Sequence, residues 1–285
     1  MRDITIVAQG GGVIAAYHAG VVRAITERFG FDRTKRVIAS SGAAALYAYA
    51  VSGQTDMIRP IWYYLFRSGR FVDPWGHKTG RGVIDIDFLV DDVIKKEYPL
   101  DLVAFQRSPV AFDTGLTETE TGCSRSFPKD GPLDFCELLR ASCAIPYFYG
   151  KSVTLQGRRY CDGTIGDVAG LLQIGSDRKV LIVLTRPDRP LRNLFLVRRA
   201  LKWLLLRHEP MLLQEKIWNM PAEYNLLNQR IAALAEKKSV FVIRPRQSLP
   251  LRRIDMRVPR LAATIEQGYQ DVMHAKDLDA WWYAA

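Results

Sequence analysis

Residues 4–29 read ITIVAQGGGVIAAYHAGVVRAITERF, and the change of period within this stretch decides the fold. Ile4 to Ala8 is a short apolar run ended by Gln9 and three glycines, the form of a buried strand bounded by a turn. From Val13 to Phe29 the apolar residues adopt helical spacing, with Ala15, Ala16, Ala19, Val22 and Ile25 available for a buried face. The unit is strand, tight turn, helix. Arg36 to Ala39 is a second β-branched run, followed by small residues and then by Ala44 to Val51, a helix-compatible stretch closed by Ser52-Gly53. The same grammar is used twice.

Further along, residues 56–100 read as mostly helical, with a Gly/Pro/Trp-containing connection from Asp73 to Gly82. Val110 to Thr114 predicts a strand followed by a polar excursion, and Val153 to Cys161 predicts a hairpin turning at Gln156-Gly157. Lys179 to Thr185 and Val240 to Arg244 predict two more strands. Strands alternating with helices argue for an α/β sandwich with a largely parallel central sheet. No linker cuts the chain, so a single domain over residues 1–285 is expected.

With 285 residues and 48% apolar content the chain can bury a sizeable core, which excludes global disorder. Forty Lys and Arg against 30 Asp and Glu give a net charge of +10, which favours polyanionic surroundings by long-range attraction. No recognised nucleic-acid module accompanies that charge, so an anionic membrane surface is the favoured polyanion. The basic and apolar segment Arg186 to Arg207 is the candidate for such contact, although a helix packed on the domain with a solvated basic side explains it equally well. The four cysteines, Cys123, Cys136, Cys143 and Cys161, lack zinc-finger spacing, and reduced thiols in a cytoplasmic protein are expected. The amino terminus enters a strand-like run without the pattern of a secretion signal, and Leu194 to Leu206 is too short and too charged to span a bilayer.

Chemistry is concentrated in three places. Gly10-Gly11-Gly12, between a strand and a helix, can turn several N–H groups in one direction at the positive end of a helix dipole and so hold a phosphate or an oxyanion. The same glycines fit a dinucleotide fingerprint weakly, with Asp32 as the acidic partner on the wrong side of the second strand. Ala39-Ser40-Ser41-Gly42-Ala43 has the small flanks that a nucleophile elbow needs when centred on Ser41, whereas centring on Ser40 puts Ile38 in a flank. Two N-capping serines are the bland alternative. Asp162-Gly163-Thr164 is ordinary turn chemistry unless the carboxylate reaches a serine and acts as its base. None of the four histidines, His18, His77, His208 and His274, stands in a turn at a strand end, so a Ser/Asp pair explains the residues better than a triad.

Together these segments closely resemble the patatin-like phospholipases, in particular their bacterial subgroup. Gly10 to Val22 is similar to the family's glycine-rich loop and first helix, Ile38 to Ala44 to its elbow, Ala141-Ser142-Cys143-Ala144-Ile145-Pro146 to its Ala-Ser-x-Ala-x-Pro segment, and Asp162-Gly163-Thr164 to its Asp-Gly-Gly/Ala turn. The agreement runs in order over residues 3–186, leaving 187–285 as a C-terminal extension. The resemblance implies a three-layer sandwich and a lipid acyl hydrolase acting on carboxylic esters without metal or organic cofactor. It further implies Ser41 as nucleophile, Asp162 as base, the N–H groups of Gly10, Gly11 and Gly12 as oxyanion hole, and Gly42 and Gly163 as supporting turns. The chain departs from the family's usual residues at Ile14 (Arg or Lys), at Ala15, Ala39 and Ala43 (Gly), and at Thr164 (Gly or Ala). These departures keep a second expectation open, a lipid-binding relative with weakened or absent catalysis.

Overall fold

A computed structural model describes residues 2–76, 82–174, 179–190, 206–236, 238–252 and 254–284. Strand β1 (Ile4–Ala8) leads through a 3-10 turn (Gly12–Ala15) into α1 (Ala16–Arg28). Strand β2 (Thr34–Ser40) leads into α2 (Ser41–Val51), and α3 (Thr55–Arg67) and a π-helical segment (Phe88–Glu97) follow. A short helix, α4 (Leu102–Arg107), precedes β3 (Ala111–Glu118) and β4 (Ser124–Pro128). Next come α5 (Phe135–Cys143), α6 (Pro146–Tyr149), β5 (Val153–Leu155), β6 (Arg158–Asp162), α7 (Gly163–Gly166) and β7 (Lys179–Val183). The chain closes with α8 (Met211–Ala235), β8 (Val240–Ile243), α9 (Val258–Met273) and α10 (Leu278–Tyr283).

The sheet runs β5-β6-β3-β2-β1-β7-β8, with β4 paired to β3 beside this path. Its body, β3-β2-β1-β7-β8, is parallel, while β4, β5 and β6 add antiparallel pairings at one side. Alternation along the strands feeds two cores. Ile4, Ile6 and Ala8 of β1, with Val37 and Leu181, point into a large core shared with α1, α2 and α3. Val7, Ile38, Val180 and Ile182 point the other way, onto Tyr224, Leu227 and Ile231 of α8. Covering both faces gives three layers and explains why the parallel strands read as continuous apolar runs.

The described residues beyond 186 join this body. β8 pairs with β7, Val180 opposite Val240. α9 crosses α1 at Gly20 and Gly268, where an added Cβ would lie 1.8 Å from the Ile265 carbonyl oxygen and 2.1 Å from that of Tyr17 respectively, so only glycine allows the backbones this close. Tyr17 Oη donates to Asp271 at 2.9 Å, and Trp282 stacks on Phe29 with ring centroids 4.5 Å apart.

The structure differs from the sequence reading in three places. The second helix begins at Ser41 itself, because the small residues taken for a turn form its first turn. The polar excursion after Thr114 is the rest of β3 and the whole of β4, whose pattern is polar because β4 is largely exposed. Asp32 is exposed and precedes β2, so it sits at the end of the sheet opposite Gly10–Gly12, which removes it as partner of a dinucleotide fingerprint. Most of the segment Arg186 to Arg207, and also His77, lies outside the described residues. Among those residues, no helix is long and apolar enough to cross a membrane.

Candidate active site

The register of β3 assembles the site. Its residue Thr114 pairs with Ala39 of β2 and with Phe127 of β4, so these two strands occupy opposite edges. Leu116 pairs with Arg125 of β4 and with Asp162 of β6, which puts β6 on the same edge as β2. β2 ends with Ser40 opposite Gly115, and β6 ends with Asp162 opposite Leu116, the next residue. Two strands far apart in sequence thus end beside each other on one edge.

At the end of β2, Ser41 is buried and has φ 55°, a left-handed conformation that costs an L-residue about 1–2 kcal/mol. The buried side chain of Ser142 holds this corner: its Oγ accepts from the Ser41 N–H at 2.8 Å and donates to the Gly115 carbonyl at 2.8 Å. Ser40 precedes the helix but makes no side-chain cap, so the capping alternative for that serine fails. The elbow turns in this way although its flanks are Ala39 and Ala43, whose methyl groups are buried in the large core.

Asp162 is fully buried at the end of β6. Its N–H donates to the Ala144 carbonyl at 3.0 Å, and its carbonyl accepts from Thr117 Oγ1 at 2.7 Å. Its Oδ1 accepts from the Thr164 N–H at 2.9 Å and from the Thr164 hydroxyl. Gly163 must lack a side chain, since a Cβ would stand 2.1 Å from the Gly115 oxygen and 2.9 Å from Ser40 Cβ. Gly10 is wedged between the two turns: a Cβ there would lie 2.5 Å from Thr164 Cγ2 and 2.7 Å from Ser41 Cβ. Gly42 is packed against Ala15, whose Cβ would be 3.0 Å from a Cβ at 42. The structure therefore brings Ser41, Gly10, Gly42, Gly163 and the Asp162–Thr164 turn into one cluster.

Two cavities meet here. A cleft of about 390 Å³ is lined by Gly10, Gly11, Gly12, Ile14 and Thr164 on one side and by Ile217, Met220 and Tyr224 of α8 on the other. A smaller apolar chamber of about 50 Å³ starts at Ser41 and runs between α2, α3 and the π-helical segment, past Ala45, Tyr49, Trp62 and Leu89. Gly12, Ile84 and Ile145 border both spaces. Beyond the glycines, Ile14, Ser41, Ile145 and Thr164, sequence reasoning singled out none of these lining residues. Nor did it assign a role to Ser142, for which the Ala-Ser-x-Ala-x-Pro match was the available signal.

His18 lies inside α1, fully buried, and its Nε2 donates to the Gln9 carbonyl at 2.7 Å. Burial lowers its pKa to about 4, so it is neutral and braces the start of the glycine loop. His208 and His274 are exposed. The Cys143 thiol is buried beside Ser41, and desolvation, with the Asp162 charge adding, pushes its pKa up and keeps it protonated. Among the described residues no group of three His, Cys, Asp or Glu could hold a metal ion.

Residues 6–173 match the family model described as Patatin-like phospholipase, and residues 213–278 match that of a domain of unknown function. The uncharacterized protein YjjU of Escherichia coli (strain K12) is 24% identical over 273 residues, covering 93% of this chain and 74% of that protein. The crystal structure of VipD from Legionella pneumophila aligns with 96% of this chain at 11% identity and a TM-score of 0.51, which shows a shared fold. The type III effector protein ExoU aligns with 95% of this chain at 13% identity and a TM-score of 0.44. The chain spans 66% of the length of VipD and 52% of that of ExoU.

Proposed function

The chain belongs to the patatin-like phospholipase family, and from that premise we propose that it is a lipid acyl hydrolase working through Ser41 and Asp162. The observation that carries this reading is the meeting of β2 and β6 on one edge of β3, with the strained Ser41 elbow and the buried Asp162 turn both packed against Gly10. In the proposed reaction the Asp162 carboxylate takes the proton from Ser41 Oγ as that oxygen attacks the ester carbonyl. The N–H groups of Gly11 and Gly12, with Gly10 behind them, receive the oxyanion, and the positive end of α2 lies beside the same point. The alcohol leaves with the proton from Asp162. Water, deprotonated by Asp162, then attacks the acyl-Ser41 ester, and Asp162 returns that proton to Ser41 Oγ as the fatty acid leaves.

The apolar lining of the chamber behind Ser41 suits the first carbons of an acyl chain, and the larger cleft beside the glycine loop suits the rest of the lipid. These steps use the chain's own groups and call on no cofactor. Residues 1–285 act as one domain in this reading, since β8 and α9 complete the sheet and cover α1. The net charge of +10 supports approach to an anionic membrane surface, where lipid esters reside.

Labelling with an active-site-directed fluorophosphonate, followed by mapping of the adduct, tests the reading. A covalent adduct on Ser41 is the expected result. Absence of any adduct, combined with retained lipid binding, would favour the non-catalytic lipid-binding alternative raised by the alanine flanks.

A further inference from the structure

Among the described residues that line the larger cleft, Arg186 is the sole charged side chain. Its position is built. β7 continues past Val183 alongside the glycine loop: the Gln9 N–H donates to the Val183 carbonyl at 2.9 Å, the Thr185 N–H to Gln9 Oε1 at 3.0 Å, and Thr185 Oγ1 to the Gly10 carbonyl at 3.2 Å. Arg186 is therefore the first residue of this strand to leave the loop that would hold the oxyanion. Its carbonyl accepts from Arg244 Nε at 3.3 Å, and its guanidinium carbon lies 5.6 Å from the ring centroid of Tyr224, another lining residue. That contact holds the guanidinium at the wall of the cleft, and the planar fork of a guanidinium matches the oxygens of a phosphoryl group. Ile14, Ile165, Met220 and Pro221 supply apolar wall around it, which strengthens any charge pairing made inside.

Building on the hydrolase reading above, we infer that Arg186 selects the substrate class: it receives the phosphoryl group of a glycerophospholipid or lysophospholipid whose acyl ester lies at Ser41. A cation at the wall of a largely apolar cleft that the glycine loop also borders gives an anionic headgroup an advantage that a neutral acylglycerol lacks. Arg186 touches the part of the lipid that does not react, so its effect belongs to recognition.

Two measurements test this. The first compares hydrolysis of 1-octanoyl-glycerol-3-phosphate and 1-octanoyl-glycerol, both as monomers, by the wild-type protein, Arg186→Gln and Arg186→Lys. The preference for the phosphorylated ester, as a ratio of kcat/KM values, should fall about tenfold in Arg186→Gln and recover in part in Arg186→Lys. A ratio unchanged within about twofold overturns the inference, whatever happens to the separate rates. The second uses Ser41→Ala protein and calorimetry with the uncleavable ethers 1-O-octyl-glycerol-3-phosphate and 1-O-octyl-glycerol, and with inorganic phosphate alone. The ether phosphate should bind about tenfold more tightly than the neutral ether and also more tightly than inorganic phosphate. Equal affinity for the two ethers, or inorganic phosphate binding as well as the ether phosphate, overturns the inference without reference to catalysis. Phosphate-dependent ether binding in a protein that cleaves no ester would instead refute the hydrolase reading and leave Arg186 as a headgroup site.

Discussion

Replacing Gly10 by Ala tests whether the glycine loop is the wedge between the two halves of the site. Gly10 is not among the glycines with positive φ, so an alanine has no backbone conformation to fight and its cost is steric. The new methyl would stand 2.5 Å from Thr164 Cγ2, 2.7 Å from Ser41 Cβ and 3.0 Å from the Ser40 oxygen. Ordinary carbon contacts are about 3.5–4.0 Å, so both neighbours must retreat by about 1 Å. Overpacking of this kind costs about 1–3 kcal/mol, and with two simultaneous clashes we expect about 2–3 kcal/mol, or roughly 4–10 °C in Tm. Displacing Ser41 by about 1 Å should lower ester turnover by about 100-fold. Thr164→Ser removes the clashing Cγ2 and keeps the hydroxyl that donates to Asp162. In that background Gly10→Ala should recover about 1 kcal/mol as a coupling energy in a double-mutant cycle, with no recovery of turnover because the Ser41 contact remains. Urea unfolding and hydrolysis of a short-chain ester read both effects. A Gly10→Ala protein within about 0.5 kcal/mol of wild type, or a coupling below about 0.3 kcal/mol, would refute the packing argument.

Ser41→Ala and Asp162→Asn should each lower ester hydrolysis by about 1,000-fold or more, and the double variant should lose no more than either single one, because both groups act in one step. If Ser40→Ala inactivates the protein and Ser41→Ala does not, the elbow is centred on the other serine. Ser142→Ala leaves the buried Ser41 N–H and Gly115 carbonyl without the hydroxyl that joins them, so it should cost about 2–4 kcal/mol in urea unfolding, and a loss under about 1 kcal/mol would contradict that role. His18, held neutral by burial with its pKa lowered to about 4, makes stability fall as pH drops, because the unfolded chain takes up a proton from about pH 6.5 while the folded chain resists until about pH 4. About 2 kcal/mol should be lost between pH 6.5 and pH 5, and His18→Gln, which retains a donor for the Gln9 carbonyl, should remove that part of the pH dependence; an identical dependence in the variant would refute the assignment.

The strand-glycine-helix unit at residues 4–29 was legible because its signals are local. A parallel strand buried on both faces is a continuous apolar run, and the glycines that follow it mark the turn without reference to anything distant. The hairpin at Gln156-Gly157 was legible for the same reason, and both turn residues have positive φ, at 48° and 77°. β4 left no such mark: its residues are polar and largely exposed, so its existence depends on β3 offering an edge.

Within the site, residue type and spacing drew attention to the glycine loop, Ser41 and Asp162. That the elbow and the Asp162 turn adjoin is a property of topology. It requires β2 and β6 to share one edge of β3, a pairing between segments over a hundred residues apart that no local pattern encodes. Ser142 as the clamp of the elbow, the chamber behind Ser41 and the place of Arg186 in the wall of the cleft arise in the same way. Which segments turn and which residues can do chemistry is written locally along the chain, since those depend on backbone freedom and on functional groups. The tertiary structure alone decided which of them meet, since that depends on strand order, register and the packing of helices across the sheet.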